Sequence, residues 1–178
     1  MQFDALPESD HPEVALRPIA PADLPAWLEY LALPEVYEHT SWNDPKLEDL
    51  ARHVWSPAMS APAGSLYLAI ASRADDRLVG TIGFKNVVPE HRNAELGYDL
   101  APAVWGRGIA THLCRSVVGW AHEHAGLLRV QAVALRSNAK SIRVLERAGF
   151  RHEGLLRSYR LVRGVPGDFH LYAHVVRS

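Results

Sequence analysis

The sequence predicts one domain of the α/β (α+β) class: a mixed but mostly antiparallel sheet of about seven strands, flanked by about four helices. Three observations lead there. The runs 66–71, 78–84 and 94–100 are apolar, rich in strand formers and separated by short turns, which reads as an antiparallel meander. Between 94 and 135 come a strand, a Gly-containing loop, an amphipathic helix and another strand. That is the order of a right-handed crossover, so its two strands lie parallel. With 178 residues, 48% of them hydrophobic, the chain can bury one core of ordinary size.

Residues 1–13 are polar and acidic and read as a loose lead-in; the domain occupies 14–178. Val14 to Ile19 alternates as a first strand, and Pro18 favours an edge position. Pro21 starts a helix that runs to about Leu31, and Pro34 to Tyr37 adds a short helical turn. Pro45 to Val54 is a further helix, with Leu47, Leu50, Ala51 and Val54 on one face, and 56–64 is a Pro/Ala/Gly connector. The hairpin 66–84 turns at Asp75-Asp76-Arg77, and Pro89 to Asn93 turns the chain into the strand Ala94–Leu100. Ile109 to about His124 is a helix whose stripe holds Ala110, Leu113, Cys114, Val117, Val118 and Ala121, stopped at Gly126. Val130–Leu135 is a strand, and Asn138 caps a helix over Ala139–Ala148 that ends at Gly149. Two strands, Phe150–Arg160 and Phe169–Val176, close the chain around a turn through Gly164-Val165-Pro166-Gly167.

Composition excludes several functions. A net charge of −1 gives no basic field for nucleic acid. No stretch approaches the roughly 18 apolar residues of a membrane span, and the polar N-terminus is not a signal peptide. The single cysteine, Cys114, cannot form an internal disulfide and reads as a buried, inert thiol; a cytoplasmic protein is expected. The ten histidines are scattered without metal-ligand spacing, so no metal site is expected.

The segment Trp105 to Thr111 does carry chemistry. Gly106, Gly108 and Ala110 allow a tight turn with uncovered N–H groups, and a helix opens directly from it. Those donors and the helix dipole make an anion site, read here as a cradle for a phosphorylated ligand. A kinase or ATPase loop would continue Gly-Lys-Ser/Thr, whereas Gly108 is followed by Ile109 and Ala110. A dinucleotide fingerprint would place Gly or Ala where Thr111 stands.

Five segments then occur in one order: Glu95-Leu96-Gly97-Tyr98, Trp105-Gly106-Arg107-Gly108-Ile109-Ala110, Asn138-Ala139-Lys140-Ser141, Leu145-Glu146-Arg147-Ala148-Gly149-Phe150 and Glu153-Gly154. In this order the chain resembles the GNAT superfamily of N-acetyltransferases, over about Val14 to Val176, and more narrowly its RimJ/RimL branch, which includes acetyltransferases of ribosomal-protein N-termini. The resemblance implies acetyl-CoA as donor and a primary amine as acceptor: a protein or peptide N-terminus, or alternatively an amino acid, polyamine or antibiotic amine. A non-catalytic CoA-binding sensory module is the other reading. It implies a sheet splayed at the cofactor, with the pyrophosphate on Trp105 to Thr111 and the pantetheine arm pairing with backbone near Asp99, Leu100 and Ala101. Asn138 matches a position that bonds the arm, and Ser141 one close to the sulfur. Arg107, Lys140 and Arg143 are candidates for the cofactor phosphates, or are solvated surface charges. Tyr37 and Trp42 match the segment that covers the acceptor cleft, and Asp168 and Tyr172 match positions in the last strands that shape the acceptor site or packing.

Amine attack on a thioester needs a neutral amine and a protonated leaving sulfur. Glu95 is the candidate base, acting directly or through water; the alternative is a substrate-anchoring carboxylate. Ser141 is the candidate donor to the developing thiolate; the alternative is that it only satisfies backbone in its helix. Some relatives carry an acidic residue in the region equivalent to Ser158–Leu161, but this chain has none there. A monomer and a homodimer through the last strands are both compatible with the sequence.

Overall fold

The computed structural model describes residues 6–40, 44–53 and 65–176. In chain order the elements are β1 (Val14–Pro18), a 3₁₀ turn (Pro21–Asp23), α1 (Leu24–Leu31), α2 (Pro34–Tyr37), α3 (Leu47–Ala51), β2 (Leu66–Ser72) and β3 (Leu78–Val88). There follow β4 (Asn93–Leu100), α4 (Ile109–Glu123), β5 (Arg129–Leu135), α5 (Ala139–Arg147), β6 (Arg151–Val162) and β7 (Val165–Val175). The seven strands form one sheet in the order β1-β2-β3-β4-β5-β7-β6. All neighbours are antiparallel except β4 and β5, the crossover pair. β1 is an edge, as Pro18 requires.

Alternation along β2 divides the core between two faces. Leu66, Leu68 and Ile70 join the layer under α4 and α5, with Phe84, Leu113, Val117 and Leu145. Ala69 turns the other way, to Trp27, Tyr30, Leu31 and Leu50 of α1 and α3. Cys114 is fully buried in the first layer, and burial pushes its thiol far up, as suits an inert core sulfur.

Two expectations need correction. The helix over Pro45–Val54 is shorter, Leu47–Ala51, and Val54 lies outside the described residues. The last turn is not spread over Gly164–Gly167. Arg163 and Gly164 alone reverse the chain, both at positive φ (53° and 77°), and Val162 pairs Val165. That two-residue turn matches the strand twist. Pro166 is tolerated in β7 because β5 stops pairing at Phe169, so no ladder bond is asked of it on that side. β7 inserts between β5 and β6, which leaves β6 at the edge, an order on which the sequence is silent.

Candidate active site

The loop before α4 takes the shape that its glycines allow. Gly106 and Gly108 have φ of +77° and +79°, and open space lies where a Cβ would project. Among the described residues no side chain caps α4, and the first helical bond runs from His112 N–H to Gly108 C=O at 3.0 Å. The donors ahead of it at the helix N-terminus are therefore available to an anion. Trp105 closes the base of the loop: its indole N–H donates to Leu100 C=O at 2.8 Å, and Lys140 Nζ lies 4.0 Å above its ring.

β4 and β5 pair only from Asn93 to Glu95 and from Arg129 to Gln131, then part. Ala101 N–H donates to Val79 C=O, so odd-numbered residues of β4 turn their backbone to β3. Even-numbered ones turn to β5 and the gap; Leu96 N–H still belongs to the ladder at Gln131, Leu100 C=O is taken by Trp105, and the Leu96 carbonyl and the Tyr98 backbone remain. Of the positions expected near Asp99 to Ala101, Asp99 and Ala101 have their backbone in the ladder to β3, and Leu100 C=O accepts from Trp105. A cavity of about 870 Å³ follows the gap from the Gly106–Thr111 loop to the far side of β4. A group with an anionic end and an extended arm fits this space: donors at a helix terminus, unfilled Cβ positions and unpaired strand backbone lie along one path.

Of the residues expected around the cofactor, all but Ala101 and Arg107 line this cavity. Arg107 points away, pairing Glu13 at 2.9 Å and donating to Ala103 C=O at 3.1 Å. Asn138 performs two tasks: its Oδ1 accepts from Ser141 N–H at 2.9 Å and its Nδ2 donates to His39 C=O at 3.2 Å. Ser141 Oγ lies 2.8 Å from the Tyr98 hydroxyl, whose own pKa burial raises well above its ordinary value.

The acceptor residues divide differently. Glu95 lines the cavity, but Tyr37 and Tyr172 do not. Tyr37 lies under the Arg163 guanidinium, which also donates to its carbonyl at 2.8 Å. Tyr172 is a buried residue of β7 whose hydroxyl donates to Glu146 at 3.2 Å. Trp42 lies outside the described residues. The cavity wall instead brings Lys85 and Arg160 to Glu95, and His53 and Tyr67 also line it.

Glu95 is 2% exposed and ion-paired to Lys85 at 3.1 Å and Arg160 at 2.8 Å. Burial pushes its carboxyl up, but the Lys85 ammonium and the Arg160 guanidinium outweigh burial and hold it below the ordinary range. A depressed carboxylate is a weak proton acceptor, so this setting opposes the expected role as general base. Farther along β4, Asp99 is bonded by Tyr30 Oη and, at 2.9 Å, Thr81 Oγ1; desolvation pushes it up to about 6.

Arg160 escaped the sequence reading, which saw in 158–161 only a missing carboxylate. A bulge between Leu156 and Arg160 breaks the strand's alternation, with Ser158 at φ +50° and its N–H held by Asp168 at 2.9 Å. Such bulges re-aim side chains, and only the Ser158–Asp168 pairing across the hairpin could have signalled this one. Tyr98 lies in the Glu95-Leu96-Gly97-Tyr98 motif, where the sequence alone assigns it no role, because its partner lies 43 positions on.

A splayed mixed sheet with an anion cradle at its crossover helix defines an acyl-CoA-type transferase fold. The family model described as the acetyltransferase (GNAT) domain matches residues 13–151, and the chain belongs to that family. It is 39% identical over 106 residues to the uncharacterised N-acetyltransferase YoaA of Bacillus subtilis, a match covering 60% of each chain. It is 32% identical over 107 residues, 58% of each chain, to the ribosomal-protein-serine acetyltransferase of Escherichia coli. Among solved structures, Mycobacterium smegmatis RimJ in complex with CoA-disulfide superposes with a TM-score of 0.76 at 29% identity, over 91% of this chain and 81% of that one.

Proposed function

We propose that this protein is an acetyl-CoA-dependent N-acetyltransferase and that its acceptor is the α-amine of a protein or peptide N-terminus. The observation that carries this reading is the single cavity linking the α4 cradle to the Glu95 cluster through the β4–β5 gap. Acetyl-CoA would supply a thioester whose acetyl carbon the amine attacks and whose sulfur leaves as a thiol. Trp105 to Thr111 would hold the pyrophosphate by backbone donors, with Lys140 and Arg143 beside it. Leu96 and Tyr98 would offer backbone partners to the arm, and Asn138 would fix the start of α5 against it.

Ser141 would donate to the sulfur. Tyr98 holds the Ser141 oxygen at 2.8 Å, and when Tyr98 donates, the serine's own hydrogen is free to point at the leaving group. The weak basicity of Glu95 favours an α-amine. At pH 7 such an amine, with pKa near 8, is about 10% neutral, whereas a lysine is about 0.04% neutral and asks about 3 kcal/mol more of a base. Glu95 on this reading orients Lys85 and Arg160 rather than storing the proton.

Thiol release from acetyl-CoA, measured against peptides with varied N-termini, free amino acids, spermidine and aminoglycosides, tests the proposal. Turnover on peptides that N-terminal capping abolishes is the expected result. Turnover on small amines alone would replace the substrate class, and no release with any acceptor would leave a CoA-binding module.

A further inference from the structure

Three charged side chains meet at the acceptor end of the cavity, and they do not cancel. Glu95 Oε1 faces Lys85 Nζ and Arg160 Nη2; Oε2 lies 3.2 Å from the same Nη2 and accepts from Asn86 Nδ2 at 3.3 Å. Arg160 therefore uses one nitrogen on the carboxylate. That nitrogen also reaches Tyr159 Oη at 3.5 Å, while Nε and Nη1 have no hydrogen-bond partner among the described residues. The guanidinium is steadied by the rings of Tyr159 and Phe169, 4.8 and 5.8 Å from its centre. Glu95 is sealed, but the Lys85 and Arg160 side chains are 33% and 24% exposed, and all three line the cavity. Two cations against one anion leave one positive charge in excess, and the accessible part of the cluster is cationic.

We infer that the acceptor carries a carboxylate close to its reacting amine, and that Arg160, assisted by Lys85, is the residue that selects it. This rests on the cavity being an amine-acetylation site. A pre-oriented guanidinium with unused donors in a partly desolvated wall is suited to a carboxylate, with geometric discrimination that a lone point charge lacks. A polycationic acceptor would instead meet the excess charge of Lys85 and Arg160. The carboxylate has two sources of the same chemistry: the α-carboxylate of a free amino acid, or an acidic side chain just after a peptide N-terminus.

Matched acceptor pairs test this in the thiol-release assay with the full chain. One pair is a free amino acid and its carboxamide; the other is a peptide with Asp at its second position and the same peptide with Asn. Rates are corrected to the neutral amine fraction. The acid of at least one pair is expected to exceed its amide by about tenfold or more in kcat/KM, chiefly through KM, and the responding pair names the source. Arg160→Gln should bring that ratio close to one, while Arg160→Lys, which keeps the charge and loses the fork, should keep part of it. The KM for acetyl-CoA and the thermal midpoint are read for both variants, and if Arg160→Gln does not fold, the fall in ratio for Arg160→Lys decides. Equal turnover of acid and amide in both pairs, or a preference that survives loss of the guanidinium, overturns the inference alone. No thiol release from any member overturns the acetyltransferase reading and this inference with it.

Discussion

Glu95 enters the folded state with both carboxylate oxygens occupied, by Lys85, Arg160 and Asn86. Its pKa is held below the ordinary value, so the stability it contributes is present above the usual glutamate range and is lost as pH falls through the lowered folded value. The residue is thus already an anion throughout the pH range in which amine acetylation is measured. An ascending limb of kcat/KM there belongs to the acceptor amine, near pH 8 for an α-amine. Glu95→Gln should leave that limb in place and lower kcat/KM by much less than the roughly 10²–10⁴-fold of a lost general base. It should also lower the thermal midpoint, because Lys85 and Arg160 would face each other without a counter-charge. Breaking a buried pair costs about 3–5 kcal/mol, and the lower end applies, since both cations keep some hydration. A limb that vanishes in the variant would return the base role to Glu95. The sequence made this residue visible through its place before the loop. It could not show the two cations, one across β3 and one 65 positions away.

At the scale of elements, local signals were legible and hairpin geometry was not. The loop, its glycines and the Asn138 cap could be read because each depends on neighbours in sequence. The crossover could be read because handedness and connection length leave one solution. The β6–β7 hairpin could not: its turn at Arg163–Gly164, its bulge at Ser158 and its insertion beside β5 are settled by cross-strand partners. Of the two roles that the sequence left open for Tyr172, acceptor site or packing, its burial in β7 and its bond to Glu146 fit packing. The loop before α4 yields the sharpest prediction here. Gly108 sits at φ +79°, and among the described residues nothing lies within 4 Å of where a Cβ would project, so Gly108→Ala meets no steric neighbour there. It meets only the left-handed backbone penalty, about 1–2 kcal/mol, and sets a methyl group in the cradle. The KM for acetyl-CoA should rise about tenfold, equivalent to about 1.4 kcal/mol of binding, with a smaller effect on kcat. Initial rates against acetyl-CoA concentration check this; an unchanged KM would remove the loop from cofactor binding.

Across the whole molecule, one sheet separates two layers, and Asp99 joins the front layer to it. Tyr30 comes from α1, Thr81 from β3 and the carboxyl from β4, so a single side chain fastens the helical front to two strands beside the cavity. Neither the pairing with Tyr30, 69 positions away, nor the desolvation of Asp99 was legible in a sequence that marked this residue only for its backbone. Desolvation raises the carboxyl from 3.8 to about 6, and the hydroxyls of Tyr30 and Thr81 only partly oppose it. Between those two values the folded state holds the proton more tightly than the unfolded chain. The contribution of Asp99 is therefore fully favourable below the unfolded value and is lost as pH rises through about 6. That rise in pKa is worth at most about 3 kcal/mol. Asp99→Asn cannot titrate, so the stability of the natural protein relative to this variant should fall as pH is raised from about 4 to about 7, by up to that amount. Urea unfolding of both proteins at steps across this window measures the difference, and every other titrating group cancels in it. A difference that stays level would mean that Asp99 is ionised throughout and that its partners, not its desolvation, dominate the fastening of α1 to the sheet.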